Sequence, residues 1–279
     1  MTSFLFWNTY RKELSSDLAA VTAEQRSEVV ILAESSMVDN RVVAALQSAT
    51  RYRYQPLPQF RVNKEICVYC REGVISASLV EETAHATCVI LERAGHASVI
   101  VVAVHMPSQL HRNDPDQVEF AQQLRDTIEE LEKDQGHDRT IVVGDLNMNP
   151  FHDGAVLANA LHAVMDMGTA SPGRRKVGSK YHRFFYNPMW GLMGDQSAGP
   201  AGTYYYRSAV QRCYFWNTFD QVLLRPSIMR EFDHSGLSVL TRAGTRELLT
   251  KKGIPDKRIS DHLPIVFRIH LPLKRKLKT

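Results

Sequence analysis

Asn8, Glu34, Asp145, Asn147, Asp220, Asp261 and His262 are spread from one end of the 279-residue chain to the other, and nearly every one stands at the edge of an apolar run. Carboxylates and amides offer the hard oxygen donors that suit Mg²⁺ or Mn²⁺. A histidine whose ring nitrogen is fixed by an acceptor holds or moves a proton near neutral pH. Cutting a phosphodiester needs this set: an activated water, neutralised phosphoryl charge and a protonated leaving alkoxide. Within that chemistry Glu34 is the natural carboxylate ligand, Asn8 its neutral neighbour, and Asp145 a second carboxylate to ligate the metal or orient the attacking water. His262 is the titratable group, and Asp220 in WNTFDQVLL is the partner for its ring. Asp261 and His262 diverge if the segment is extended, which turns Asp261 toward the metal or its water. His105, at the end of residues 99–104, is a second histidine to touch the phosphate.

These positions share a reason for meeting. An apolar run of four to eight residues bounded by polar residues reads as a buried strand, and the residues at its end emerge at the sheet rim. FLFW precedes Asn8, VVILA precedes Glu34, IVVG precedes Asp145 and Asn147, and LPIVF follows Asp261 and His262. The pattern predicts strands at about 3–8, 28–34 and 141–146, with helices at about 15–26 and 38–49. ICVYCR, VISASLV and two β-branched runs joined by an Arg93 to His96 turn add further strands. Val118, Ala121, Leu124, Ile128 and Leu131 share one face of a helix over 116–133, with Gly136 as its stop. A short helix is expected over 153–165, and strands again at about 214–224, 237–241 and 264–271. Mixed strands and helices, with strands dominant late, give two packed sheets covered by helices.

Composition bounds the class. An apolar fraction of 44% and a charged fraction of 23% place the chain among ordinary globular proteins, with room for one large core. No apolar stretch reaches membrane-spanning length. The start, MTSFLFWNTYRK, has no basic region followed by an apolar one and predicts a cytoplasmic protein. Cys67 and Cys70 form a lone C-x-x-C whose thiols strand alternation sends to opposite faces, so buried thiols are expected rather than a zinc or redox pair. Residues 1–150 carry 14 Lys+Arg against 21 Asp+Glu, a balance of −7, and residues 151–279 carry 20 against 9, or +11. The second half is therefore where a polyanion would dock. Basic residues gather at Arg174, Arg175, Lys176, Lys180 and Arg183, at Lys251, Lys252, Lys257 and Arg258, and in the tail at Lys274, Arg275 and Lys276.

The motifs, taken in order, resemble the endonuclease/exonuclease/phosphatase superfamily, the DNase I-like fold. Its pattern of Trp-Asn, a strand ending in Glu, a strand ending in His or Tyr, Gly-Asp-x-Asn, a late Asp and Ser-Asp-His is met by Trp7-Asn8, Glu34, His105, Gly144-Asp145-Leu146-Asn147, Asp220 and Ser260-Asp261-His262. The resemblance covers nearly the whole chain. It implies an α/β fold, a four-layered α/β/β/α sandwich built as a single domain over 1–279. It further implies Mg²⁺ held mainly by Glu34 with Asn8 and Asp261, a His262–Asp220 pair, and Asp145 with Asn147 orienting the nucleophile and scissile phosphate. The segment from Lys64 to Arg71 is similar to the secreted-DNase strand in which a Glu supports the first histidine, which assigns Glu65 to orient His105. Abasic-site endonucleases carry an acid where this chain has Tyr10 and a Tyr where it has His105.

Residues 168–212 are read as a long insertion rich in Gly, aromatic and basic residues. Aromatic rings interleaved with Arg and Lys can stack bases while neutralising phosphates, so Arg174, Arg175, Lys176, Lys180, Arg183 and Tyr204 are the expected substrate contacts. The alternative is a hydrophobic cluster beneath a long loop. The leading expectation is a Mg²⁺- or Mn²⁺-dependent nuclease acting on DNA or RNA. The alternatives are a phosphatase or phosphodiesterase on a phosphoinositide, lipid or small phosphoester, and a catalytically dead binding scaffold.

Overall fold

The computed structural model describes residues 1–58, 62–63, 65–108 and 114–274, so Lys64 and the tail residues Arg275 and Lys276 lie outside the described residues. The strands, in chain order, are β1 (Thr2–Asn8), β2 (Val29–Ala33), β3 (Tyr54–Pro56), β4 (Ile66–Arg71), β5 (Ser76–Glu82), β6 (Ala86–Glu92), β7 (Val99–His105), β8 (Thr140–Asp145) and β9 (Ala163–Val164). They continue with β10 (Arg174–Val177), β11 (Lys180–Arg183), β12 (Phe185–Tyr186), β13 (Tyr204–Tyr205), β14 (Trp216–Asn217), β15 (Asp220–Leu224), β16 (Phe232–Val239), β17 (Arg242–Ala243), β18 (Arg246–Glu247) and β19 (Ile265–Ile269). The helices are α1 (Ser15–Gln25), α2 (Asp39–Thr50), α3 (Asp114–Gln135), α4 (Asp153–Val156) and α5 (Met167–Ala170).

Two sheets form, one in the order β16-β19-β1-β2-β4-β3 and the other β5-β6-β7-β8-β15-β12-β9. Their apolar runs are continuous because these strands are buried on both faces. In β7, Val99, Val101 and Ala103 join the core between the sheets, while Ile100, Val102 and Val104 join a second core with Ala121, Leu124, Ile128 and Leu131 of α3. Leu18 and Val21 of α1, with Val42 and Leu46 of α2, complete the first core from the other side. The result is the expected α/β/β/α sandwich. Phe4 and Phe267 stack at 4.7 Å across β1 and β19. Each fully buried Val, Leu, Ile or Phe contributes roughly 1.5–3 kcal/mol, so these runs hold the sheets together.

Helix α3 stops where Gly136 takes a left-handed φ of +66°, a conformation glycine adopts without steric cost. Gly144 meets a harder constraint: a Cβ there would lie 2.0 Å from the Val104 carbonyl oxygen, and its φ is +151°. Cys67 is half-buried and Cys70 buried, and burial raises their thiols to about 11 and about 12. No described helix is long and apolar enough to cross a membrane.

Two expected elements differ. The helix over 153–165 is only the four residues of α4; the chain then turns through His162 at φ +51° so that β9 can pair with β12. Apolar spacing there reflects burial of Ala155, Ala160 and Leu161 beneath α3, not helical periodicity. The segment 168–212 is also no free insertion. It contains the β10–β11 hairpin and supplies β12 to the second sheet, with Phe184, Phe185 and Met189 buried. A two-residue strand buried on both faces leaves no alternation to read.

Candidate active site

Strand register brings the polar ends together. Asn8 ends β1 opposite Ala33, Glu34 follows that residue, and Glu65 precedes Ile66, which also pairs with Ala33. In the other sheet His105, Asp145 and Asp220 lie side by side, because the parallel pair β7–β8 ends where the antiparallel β15 begins. The loop before β19 is fastened to the same rim: Ser260 Oγ donates to the Asn8 carbonyl at 2.8 Å, and Trp7 Nε1 to the His262 carbonyl at 3.1 Å. Parallel strand tails and antiparallel strand heads therefore meet at one edge of both sheets. They line a cleft of about 900 Å³ whose walls include Glu34, Glu65, His105, Asp145, Asn147, Tyr204, Asp261 and His262.

Two histidines face this cleft, each held from behind by a carboxylate. His262 Nδ1 lies 2.8 Å from Asp220 Oδ2, which leaves its Nε2 3.7 Å from Asp145 Oδ2. His105 Nδ1 lies 2.8 Å from Glu65 Oε2, with Nε2 3.4 Å from Glu34 Oε1 and 3.9 Å from Asp145 Oδ2. Burial opposes a charged ring at both places, but Glu34, Asp145 and Glu65 raise His105 to about 9, and Asp220, Asp145 and Asp261 raise His262 to about 10. Both imidazoles are thus protonated at neutral pH.

The carboxylates divide. The hydrogen bond from His105 holds Glu34 down to about 2 against the pull of burial, with Asn8 Nδ2 adding a donor at 3.2 Å. Asp145 goes the other way, because burial and the neighbouring Asp220 charge push its carboxyl up even between two imidazolium rings. Its oxygens accept from Asn8 Nδ2 at 3.0 Å and from the Asn147 amide at 2.8 Å. Neighbouring carboxyls pushed apart in this way suit different roles, one ionised and one able to accept a proton.

The donor set fits a divalent cation. Asp261 Oδ1 is buried without a hydrogen-bond partner, and an orphaned carboxylate oxygen is costly unless something positive answers it. Glu34, ionised and facing the cleft, carries the matching charge. The close trio of Asp145, Asp220 and His262, whose ligating atoms lie within 4.8 Å of one another, fits a cation less well, since Asp220 is fully buried and both its oxygens face His262 Nδ1. Asn8 reaches both carboxylates through Nδ2, while its Oδ1 accepts from the Tyr10 amide at 3.0 Å. In this orientation its Nδ2 clamps Glu34 and Asp145 and its Oδ1 is turned to the Tyr10 backbone.

Tyr204 also arrives: its ring lies 4.7 Å from that of His262 and 5.2 Å from Phe219. The basic residues do not. Arg174, Arg175, Lys176 and Lys180 sit on the β10–β11 hairpin and none lines the cleft. Arg183 is committed at the opposite end of β8, where it pairs with Glu132 and Asp138 because Glu132 is buried there and needs the charge. Three contributors escaped the sequence reading. Arg11 lies against Glu34 and Glu65 in a left-handed turn that no local pattern announces. Thr203 Oγ1 accepts from the Asp220 amide at 3.2 Å. Asn149 Oδ1 accepts from Thr218 at 2.8 Å, tying the loop after β8 to the strand that carries Asp220, and its place two residues after Asn147 was the available signal.

Fold and site together define a DNase I-like sandwich with an acid-and-histidine rim. Residues 5–262 match the Endonuclease/Exonuclease/phosphatase family, and the chain belongs to that family, whose members act on phosphoester bonds. No curated protein sequence matches it. Among solved structures it is similar to D. rerio TDP2 complexed with single strand DNA product, at 16% identity and TM-score 0.57 over 95% of this chain and 97% of that one. It is similar to the endonuclease domain of TRAS1, a telomere-specific non-LTR retrotransposon, at 14% identity and TM-score 0.55 over 97% and 98%. It is similar to ANGEL2, a 2',3'-cyclic phosphatase in complex with adenosine-2',3'-vanadate, at 14% identity and TM-score 0.56 over 98% and 96%.

Proposed function

We propose that this protein is a Mg²⁺- or Mn²⁺-dependent nuclease that hydrolyses phosphodiester bonds of DNA or RNA. The observation that carries the reading is the single rim on which an ionised Glu34, a proton-accepting Asp145 and two carboxylate-held imidazolium rings converge. Glu34 and Asp261 would hold the metal, with Asn8 fixing Glu34. When bound, the cation supplies Lewis-acid neutralisation of phosphoryl charge.

Asp145, held by Asn8 and Asn147, orients the attacking water and takes its proton. His262, fixed by Asp220, presents Nε2–H to the charge that develops on phosphorus or on the departing oxygen. His105, fixed by Glu65, stabilises the same charge from the other side. Tyr204 lies over His262 and shields it from solvent, and Asn147 helps set the phosphate. TDP2 complexed with single strand DNA product and the TRAS1 endonuclease are relatives in fold that support nucleic acid as the substrate.

The test is cleavage of end-labelled single- and double-stranded DNA and RNA, with Mg²⁺, Mn²⁺ or EDTA, beside phosphate release from a phosphoinositide and a small phosphoester. Divalent-dependent shortening of a polynucleotide is expected. Release from the small substrates alone would replace the nuclease with a phosphatase.

A further inference from the structure

We infer that the nucleic-acid strand leaves the catalytic rim over a ramp of aromatic rings, Tyr214, His152, Phe151 and Trp190, and enters a second cavity where Trp190 and Arg175 hold a neighbouring nucleotide. This rests on the nuclease reading and extends it to the part of the substrate that is not cut.

The ramp is continuous in space. His152 and Tyr214 line the catalytic cleft, and Phe151 packs at 5.0 Å from His152, 5.1 Å from Tyr214 and 6.2 Å from Trp190. Trp190 in turn lines a separate cavity of about 330 Å³ with His162, Phe184, Asp166 and Arg175. Packing alone would have buried these rings, as it buries Phe184, Phe185 and Met189 of the same stretch to 3%, 0% and 0% exposure. Tyr214 instead remains 44% exposed, and Phe151, His152 and Trp190 are half-buried.

The second cavity carries polar groups suited to a nucleotide. Trp190 lines this cavity and remains half-buried, so part of its ring is available for a base to stack on. Arg175 Nε donates to His162 Nε2 at 2.8 Å, and His162 Nδ1 lies 3.1 Å from the Arg183 carbonyl, which fixes the plane of the guanidinium. A fixed guanidinium is the preferred partner for phosphate. The one carboxylate in the wall, Asp166, is turned to the Thr169 amide at the start of α5. Bases of any sequence stack on aromatic faces, so the ramp would favour length over sequence.

The experiment compares kcat/KM for a labelled single-stranded twelve-mer with that for a dinucleotide, in the parent and in Trp190→Ala, Trp190→Phe and Arg175→Glu. Each protein is its own reference, so loss of folded material cancels from the ratio. The parent is expected to prefer the twelve-mer. Trp190→Ala should lower that preference about tenfold, in the range one stacked base contributes, Arg175→Glu about fivefold, and Trp190→Phe least. A parent indifferent to length, or variants that keep the parental preference, would overturn the ramp while leaving the nuclease intact. A parent that cuts no oligonucleotide yet turns over a small phosphoester would overturn the nuclease reading and the ramp with it.

Discussion

At the start of β8, Glu132 accepts from Thr140 Oγ1 at 2.7 Å and from Arg225 Nε at 2.7 Å, and Arg183 joins the same carboxylate. Arg225 is 1% exposed, lies 4.0 Å over the Phe185 ring and donates to the Phe184 carbonyl. At the end of the same strand Asp145 is equally buried, yet it shares its space with Glu34, Asp220 and Asp261 and meets only histidines and amides. Charges at the first end are matched, and Arg225 and Glu132 are sealed from solvent. At the second, acids outnumber the histidines and Arg11 that face them, and the group opens onto a cleft. Both ends are costly to bury, so burial of charge alone does not mark a site; the surplus of one sign beside solvent-accessible space does.

The largest expected effects separate the two ends. Glu34→Gln and His262→Ala should each lower turnover per folded molecule about a thousandfold or more. Arg225→Ala should do the reverse, costing about 3–5 kcal/mol of stability by leaving Glu132 short of a buried partner, with kcat retained by the folded fraction. An Arg225→Ala protein that unfolds normally but has lost turnover would erase the distinction.

A pH series sharpens the comparison. In an unfolded chain His titrates near 6.5, whereas His105 and His262 are raised to about 9 and about 10. Stability from these protonated rings is fully present below about 6.5 and lost as pH climbs toward 10. Metal-free protein should therefore lose at least about 2 kcal/mol between those limits in urea titrations. His262→Gln should flatten the loss, and Arg225→Ala should leave its slope unaltered, since guanidinium does not titrate there.

How much of this was readable follows from which forces fix each part. Asn8, Glu34, Asp145 and His262 were legible because strand ends must surface at a rim, and four apolar runs declare four strands. The ends of α1, α2 and α3 were legible within a few residues for the same reason, an apolar stripe facing a core. The register that sets His105, Asp145 and Asp220 abreast was not, since pairing between residues 40 positions apart (105 to 145) and 75 apart (145 to 220) leaves no local mark. Neither was the fate of Arg183. A basic residue reads alike whether it awaits a phosphate or neutralises a buried Glu132. The short helix α4 failed because apolar residues that tuck under α3 mimic a helical stripe, and the β12 aromatics because two residues show no period.

The smallest effect lies within the sealed end itself. Arg183 and Arg225 both reach Glu132, but Arg183 leaves 37% of its side chain exposed where Arg225 leaves 1%. A half-exposed pair is screened by solvent and pays side-chain entropy to hold its geometry, so Arg183→Gln should cost about 1 kcal/mol or less. Glu132 would keep its bonds to Arg225 and Thr140, which is why the loss stays small. Urea midpoints of Arg183→Gln, Arg225→Ala and the double variant form a cycle, and coupling is expected because both cations share one carboxylate. A loss from Arg183→Gln as large as that from Arg225→Ala would mean that exposure does not discount the pair, and the sealed end would then depend on its surface arginine as much as on its buried one.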